Sequence, residues 1–228
     1  MLKLYILLQL ILLWEIGTSS DEYFQADFQT PDPPESIVAE YQASFIQHTW
    51  DRYQTSQITT GMIYASSQLR LLRLDTAYRG IVASTLLDYD KTNVDGTVPA
   101  SIYSLSPTTA AQPSCQILHI QPSYPLFSPN ILSVYGAIFI GSVRDEFFYT
   151  DHGALQAWQL IITNDENAVF YLNRNHTLIR YDYSTPIRNT YGTIRLFNII
   201  PETPNITIFS NPCSSNVTYI RDRNKEYL

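Results

Sequence analysis

Arg79-Gly-Ile-Val-Ala-Ser-Thr-Leu-Leu-Asp-Tyr-Asp90 is the run whose reading decides the fold class. Ile81, Ala83, Thr85, Leu87 and Tyr89 fall on one face. Ser84, Asp88 and Asp90 fall on the other. Period-two alternation of this kind is the mark of a half-buried β-strand. Asn93-Val-Asp-Gly96 follows as a turn. On its N-terminal side, Gln54 to Tyr64 and Gln68 to Asp75 read as a strand pair joined at Ala65-Ser66-Ser67. On its C-terminal side, Val98 to Leu105 and Cys115 to Gln121 are further strands. Pro122 to Asn130 carries three prolines and cannot be a central strand. Ile131 to Ile140, Glu146 to Thr150, Leu155 to Thr163, Ala168 to Asn173, Thr177 to Tyr183 and Tyr191 to Ile200 continue the pattern. Ile206 to Phe209 reads as a last short strand. Ile37, Tyr41 and Phe45 sit four apart and suit one short helix, although Ala43 to Trp50 equally starts a strand. About ten to twelve strands, with turns every 8–12 residues, make an antiparallel all-β chain with little helix.

Composition narrows the function classes. The chain has 228 residues, 45% hydrophobic and only 15% charged, with 17 tyrosines. That excludes a disordered chain, which needs low hydrophobicity and high charge. Lys and Arg number 14 against 21 Asp and Glu, a net charge of −7. Three consecutive cations occur nowhere, which argues against phosphate-driven nucleic-acid binding. The acidic balance also argues against docking to anionic lipid heads, but not against binding the apolar part of a lipid.

Residues 1–20 have the order of a secretory signal peptide: Lys3, an apolar run Leu4 to Trp14, then Gly17-Thr-Ser-Ser20. The run is too short for the roughly 20 residues of a spanning helix, and no other stretch is long enough, so no transmembrane segment is expected. Residues 21–36 form an acidic, Pro-rich lead-in, 37–213 one β domain, and 214–228 a polar tail. Asn175-His-Thr177, Asn205-Ile-Thr207 and Asn216-Val-Thr218 are N-glycosylation sequons. Cys115 and Cys213 are the two cysteines. In an oxidising compartment they are expected to pair, closing a loop of about 98 residues worth about 4–5 kcal/mol in the chain-entropy model.

Catalytic motifs are absent from the sequence. It holds no Walker loop, G-x-G-x-x-G, H-E-x-x-H or G-x-S-x-G. His119 lies in an apolar strand, His176 in a sequon turn, and the adjacent Asp151-His152 pair has no marked nucleophile beside it. A non-enzyme is expected, with no cofactor. Asp88 and Asp90 share a strand face about 7 Å apart. They are weak candidates for Ca²⁺, a cation that takes carboxylate oxygens. The competing reading is a pair of exposed, solubilising carboxylates.

The positive feature is apolar residues on both faces of many strands, as in Phe147-Phe-Tyr149, Leu160-Ile-Ile162 and Val169-Phe-Tyr-Leu172. One face covers a core; the other needs a second cover, which is another sheet, a partner chain or a ligand. Trp158, Leu160, Ile162, Phe170, Leu172 and Phe197 are the residues assigned to the concave side of a curved sheet as a ligand pocket. A filled two-sheet sandwich satisfies the same pattern.

From about Phe45 to Cys213 the layout resembles the ependymin-related proteins. The carrying residues are Thr60-Gly-Met-Ile-Tyr64 with Arg70-Leu-Leu-Arg73, then Cys115 with Ile120-Gln-Pro122, Ile140-Gly-Ser142 and Trp158. Phe197-Asn198 and the ending Phe209-Ser-Asn-Pro-Cys213 complete the series. The resemblance implies two stacked, curved antiparallel sheets forming a half-barrel of the lipoprotein-carrier type, with a deep apolar pocket. It implies a secreted or lysosomal glycoprotein that binds a lipid or other hydrophobic molecule, often as a homodimer, with Ca²⁺ and cell–matrix adhesion linked to some members. It carries over no catalytic residue. Members usually have more cysteines, and only the Cys115–Cys213 pair is present here to match. The alternatives are an extracellular adhesion or structural protein without a ligand and an enzyme built on the same half-barrel.

Overall fold

The computed structural model describes residues 30–53, 55–78, 81–104, 115–120, 125–144, 153–163, 166–185 and 189–211. Every strand among the described residues belongs to the unit Pro33–Leu228. The expected signal segment 1–20, the tail 214–228 and the expected strand at Glu146 to Thr150 lie outside the described residues.

Eleven strands form one sheet. They are β1 (Glu40–Asp51), β2 (Ser56–Ser66), β3 (Leu71–Tyr78), β4 (Ile81–Asp88), β5 (Val98–Ser104), β6 (Cys115–Ile120), β7 (Ile138–Arg144), β8 (Ala154–Thr163), β9 (Glu166–Leu172), β10 (Leu178–Thr185) and β11 (Thr190–Ile200). Their spatial order is β6-β5-β4-β3-β2-β1-β11-β10-β9-β8-β7. Every neighbouring pair is antiparallel. The sheet is curved and unclosed. It consists of two up-and-down meanders, and the pairing of β1 with β11 joins them. The expected two stacked sheets are therefore one continuous sheet. The reason is that β1 is hydrogen-bonded on both edges, with Phe45 opposite Gly61 on β2 and Leu196 on β11.

Three local expectations change for physical reasons. Ile37, Tyr41 and Phe45 do not make a helix. A spacing of four fits period two as well as period 3.6, and Ala39 and Ala43 are buried between them. Ile131 does not start a strand: Ile131–Val134 is a single helical turn, α1, and the strand begins at Ile138. Ile206–Phe209 is a 3-10 turn, because the Asn205 side chain accepts the Thr207 N–H at 3.0 Å and caps it.

The concave face carries the core. Tyr41, Ala43 and Phe45 of β1 pack with Leu72 and Leu74 of β3, Phe170 and Leu172 of β9, and Ile194 and Leu196 of β11. The strap 125–137, which contains α1, lies across this face and adds Phe127, Ile131, Leu132 and Ala137 to the same cluster. Phe127 meets Phe170 edge-on at 4.7 Å and Tyr181 at 5.4 Å. The Ile37 N–H donates to Pro129 O at 2.7 Å, and Tyr89 hydrogen-bonds the Leu126 backbone. These bonds tie the strap to the ends of β1 and β4.

Two glycines allow close approaches at the seam. A Cβ on Gly61 would lie 2.0 Å from the Asp75 carbonyl oxygen of β3. At Gly192 the Tyr183 ring fills the space a Cβ would take, and its hydroxyl accepts from Gln47 Nε2 at 2.9 Å on β1. Tyr183 thus spans β10, β11 and β1 in one reach. Beyond the seam, Asp51 closes the β1–β2 turn. Its carboxylate accepts from the Tyr53 N–H at 2.9 Å, the Thr55 N–H at 3.0 Å and the Thr55 hydroxyl.

Gly61→Ala is expected to cost about 3 kcal/mol, the upper range for forced overpacking, because the clashing atom is backbone. A urea denaturation series reads this as a lowered midpoint. At the turn, the Asp51 carboxyl is held below its ordinary 3.8, first by the Thr55 hydroxyl and, against some desolvation, by the Thr55 and Tyr53 N–H groups. A depressed folded-state pKa means the contribution is present above the unfolded value and is lost as pH falls through the folded one. An NMR titration should show Asp51 titrating below ordinary aspartates, and Thr55→Val should move its midpoint upward.

Candidate functional site

The outer face of β3–β6 forms a second surface in register with the core. Leu71 stands opposite Asp88 and Arg73 opposite Leu86. Leu86 is in turn opposite Ser101, Ser101 opposite Ile117, and Pro99 opposite His119. This face has its own cover, the C-terminal segment 205–211. Arg73 anchors it by donating from Nη1 to Ile208 O at 2.7 Å. The same guanidinium is 2.9 Å from Asp75 and lies 5.8 and 5.9 Å from the Tyr64 and Tyr103 ring centroids. Phe209 is buried, and Asn211 Nδ2 donates to Ser101 Oγ at 2.9 Å.

The cover is incomplete, and a groove of 510 Å³ remains beside it. Leu71, Leu86, Pro99, Ile117 and Phe209 give it an apolar floor. Asp88, Lys91, Asn93, Ser101, His119 and Asn211 give it a polar rim. Strand β4 ends at Asp88, whose carboxylate accepts the Asp90 N–H at 3.2 Å and caps the 3-10 turn Tyr89–Lys91. Lys91 Nζ returns to Asp88 at 2.9 Å, and this hydrogen bond raises the lysine pKa. Asn93 Nδ2 meets Thr97 Oγ1 at 2.9 Å and His119 Nδ1 at 2.8 Å.

The sequence-assigned pocket residues lie elsewhere. Trp158, Leu160, Phe170 and Leu172 do share the concave side, at most 1% exposed, inside the core that the strap covers. Ile162 packs partly buried against them. Phe197 is on the opposite face, because Ile194 and Leu196 are the inward residues of β11. None of the six lines the groove. Asp88 and Asp90 do not share a strand face, since the strand stops between them. Asp88 is engaged by Lys91, and Asp90 is 3.6 Å from Arg70. Among the described residues no group of three or more His, Cys, Asp or Glu could hold a metal ion. Cys115 opens β6 and is disulfide-bonded; Cys213 lies outside the described residues, as does Asn216. Asn175 and Asn205 are both exposed, in the β9–β10 turn and at the head of the covering segment. Among the described residues no helix is long and apolar enough to cross a membrane.

Sequence reasoning missed Lys91, Asn93, Phe209 and Asn211. In β4 only Leu86, adjacent to Leu87 on a face otherwise read as polar, signalled that this surface needed cover.

No family model and no curated protein matches the chain. Among solved structures, the chain is similar to an uncharacterized conserved protein from Thermus thermophilus. The two are 12% identical over 79% of this chain and 90% of that one, with a TM-score of 0.42. A LolA superfamily protein from Nitrosomonas europaea is 8% identical over 78% and 92%, with a TM-score of 0.32. A putative outer membrane lipoprotein-sorting protein domain from Vibrio parahaemolyticus is 8% identical over 72% and 85%, with a TM-score of 0.31. None of these is described as an ependymin-related protein, so that relationship is not shown, and likenesses this distant carry no functional argument.

Arg73→Ala is expected to cost about 2–3 kcal/mol, because it leaves a mostly buried Asp75 carboxylate and the Ile208 carbonyl without their donor. Arg70→Ala removes an exposed pair and should cost less than about 1 kcal/mol. Thermal melts of both variants check the contrast. Proteolysis near Phe209 should accelerate only in the first.

Proposed function

We propose that the protein is a non-catalytic binder of a small amphipathic molecule, held in the groove between the outer face of β3–β6 and segment 205–211. The observation that carries this reading is the groove itself. It is preformed, its 510 Å³ lies in the usual range for small-molecule sites, and an apolar floor meets a short polar rim. The sequence-level expectation of a hydrophobic ligand is kept, and the site moves from the concave to the outer face. The signal-like N-terminus and the exposed Asn175 and Asn205 sequons support a secreted, glycosylated protein.

The test is displacement of a fluorescent fatty acid from the purified protein. Ile117 is only half-buried, on edge strand β6, so Ile117→Gln keeps the fold. It is expected to weaken binding about tenfold. Ile162→Gln, on the concave side, should leave binding unchanged. The reverse pattern would put the ligand under the strap, and no binding by the native protein would end the proposal.

A further inference from the structure

The rim of the groove has a hydrogen-bond direction, set by a chain of residues in the β4–β5 turn. Asp95 is the fixed point, since a carboxylate only accepts. It takes the Thr97 N–H at 3.0 Å and the Thr97 hydroxyl at 2.7 Å. With its proton committed there, Thr97 Oγ1 is an acceptor toward Asn93. The Asn93 side chain therefore presents its NH₂ to Thr97. The second hydrogen of that NH₂ points to His119 Nδ1, 2.8 Å away. Nδ1 must then be the unprotonated nitrogen, and Nε2 carries the hydrogen. The backbone holds this arrangement: the Asn93 N–H donates to Thr97 O at 2.9 Å, and Gly96, at φ 79°, returns its N–H to Asn93 O at 3.0 Å.

Two of the acceptor groups on the rim are already engaged. Asp88 takes the Asp90 N–H on one oxygen and Lys91 on the other. Ser101 Oγ takes Asn211. Two donors on the rim remain for a ligand: the His119 Nε2–H and the further hydrogens of Lys91 Nζ, whose side chain is 74% exposed. Two donors, one of them cationic, above an apolar floor fit an acceptor-rich anionic head on an apolar chain.

Resting on the groove reading above, we infer that the ligand is an amphipathic acid. Its carboxylate or phosphate head is held by His119 Nε2–H and Lys91, and its chain lies on Leu86, Ile117 and Phe209. Calorimetry with decanoate, methyl decanoate and decyl phosphate tests the inference on the native protein and on His119→Leu and Lys91→Met. Both side chains are exposed, so folding is not at issue. Native protein is expected to prefer an acid over the ester by about tenfold, the size of a charge-assisted hydrogen bond. Each variant should lose that preference, its acid affinity falling further than its ester affinity. The tighter of decanoate and decyl phosphate names the head. Nitrogen-15 NMR should find His119 as the Nε2–H tautomer in the native protein, and an Nδ1–H tautomer would overturn the inference. Equal binding of acid and ester would overturn it while leaving the groove reading intact, provided Ile117→Gln weakens both. Inorganic phosphate binding as tightly as decyl phosphate would also overturn it, since the apolar floor would then contribute nothing. No binding of any probe would remove both readings.

Discussion

Strand β1 is hydrogen-bonded along both edges, to β2 on one side and β11 on the other. Without that seam the two meanders would be separate sheets, each with a long unpaired edge in mid-molecule. Unpaired strand edges invite pairing with other chains. The seam depends on small residues in a few places. Gly61 lets the backbones of β2 and β3 close up, and Gly192 leaves room for the Tyr183 ring. Tyr183 then hydrogen-bonds Gln47 across the join. The inward residues of β1 are apolar up to Phe45 and polar from Gln47, so the core thins toward that end of the seam.

A single sheet cannot cover both of its own faces. Each face here is covered by a segment without strand structure, and the two covers differ in completeness. The strap 125–137 places Phe127, Ile131 and Leu132 directly into the core, and the residues below it are sealed. Segment 205–211 brings one large side chain, Phe209, held by the Arg73 and Asn211 bonds. It leaves a groove open over β3–β6. Among the described residues the main core cluster is on the concave side, and the 510 Å³ groove lies on the outer one.

Period two made the strands legible in the sequence, and it also misled where local geometry interrupts it. Trp158, Leu160, Phe170 and Leu172 share one side as alternation requires. Phe197 was misassigned because its strand was read by hydrophobicity alone, without the parity that Ile194 and Leu196 impose. The β1–β11 register also shifts near it, and Asn198 takes a φ of 51°. Asp90 looked like a strand neighbour of Asp88 because the 3-10 turn keeps a similar polar spacing. The groove was not legible at all. It joins β3–β6 to residues far later in the chain, and no periodicity reports a contact of that range.

The open side has a thermodynamic consequence. A ligand that binds the folded groove and not the unfolded chain stabilises the protein by mass action, about 2.7 kcal/mol at a hundredfold excess over Kd. That gain acts where the cover is thinnest, since the ligand would touch Phe209 and Asn211 on the covering segment and Ile117 and His119 on edge strand β6. Among the described residues β6 pairs with β5 alone, and the segment is bonded to Arg73 and Ser101. Occupancy therefore bridges an edge strand and the covering segment. The concave core lies on the other face of the sheet and is not touched by the same event. A site of this kind costs the fold little when empty, because the sheet beneath it is held from the other side.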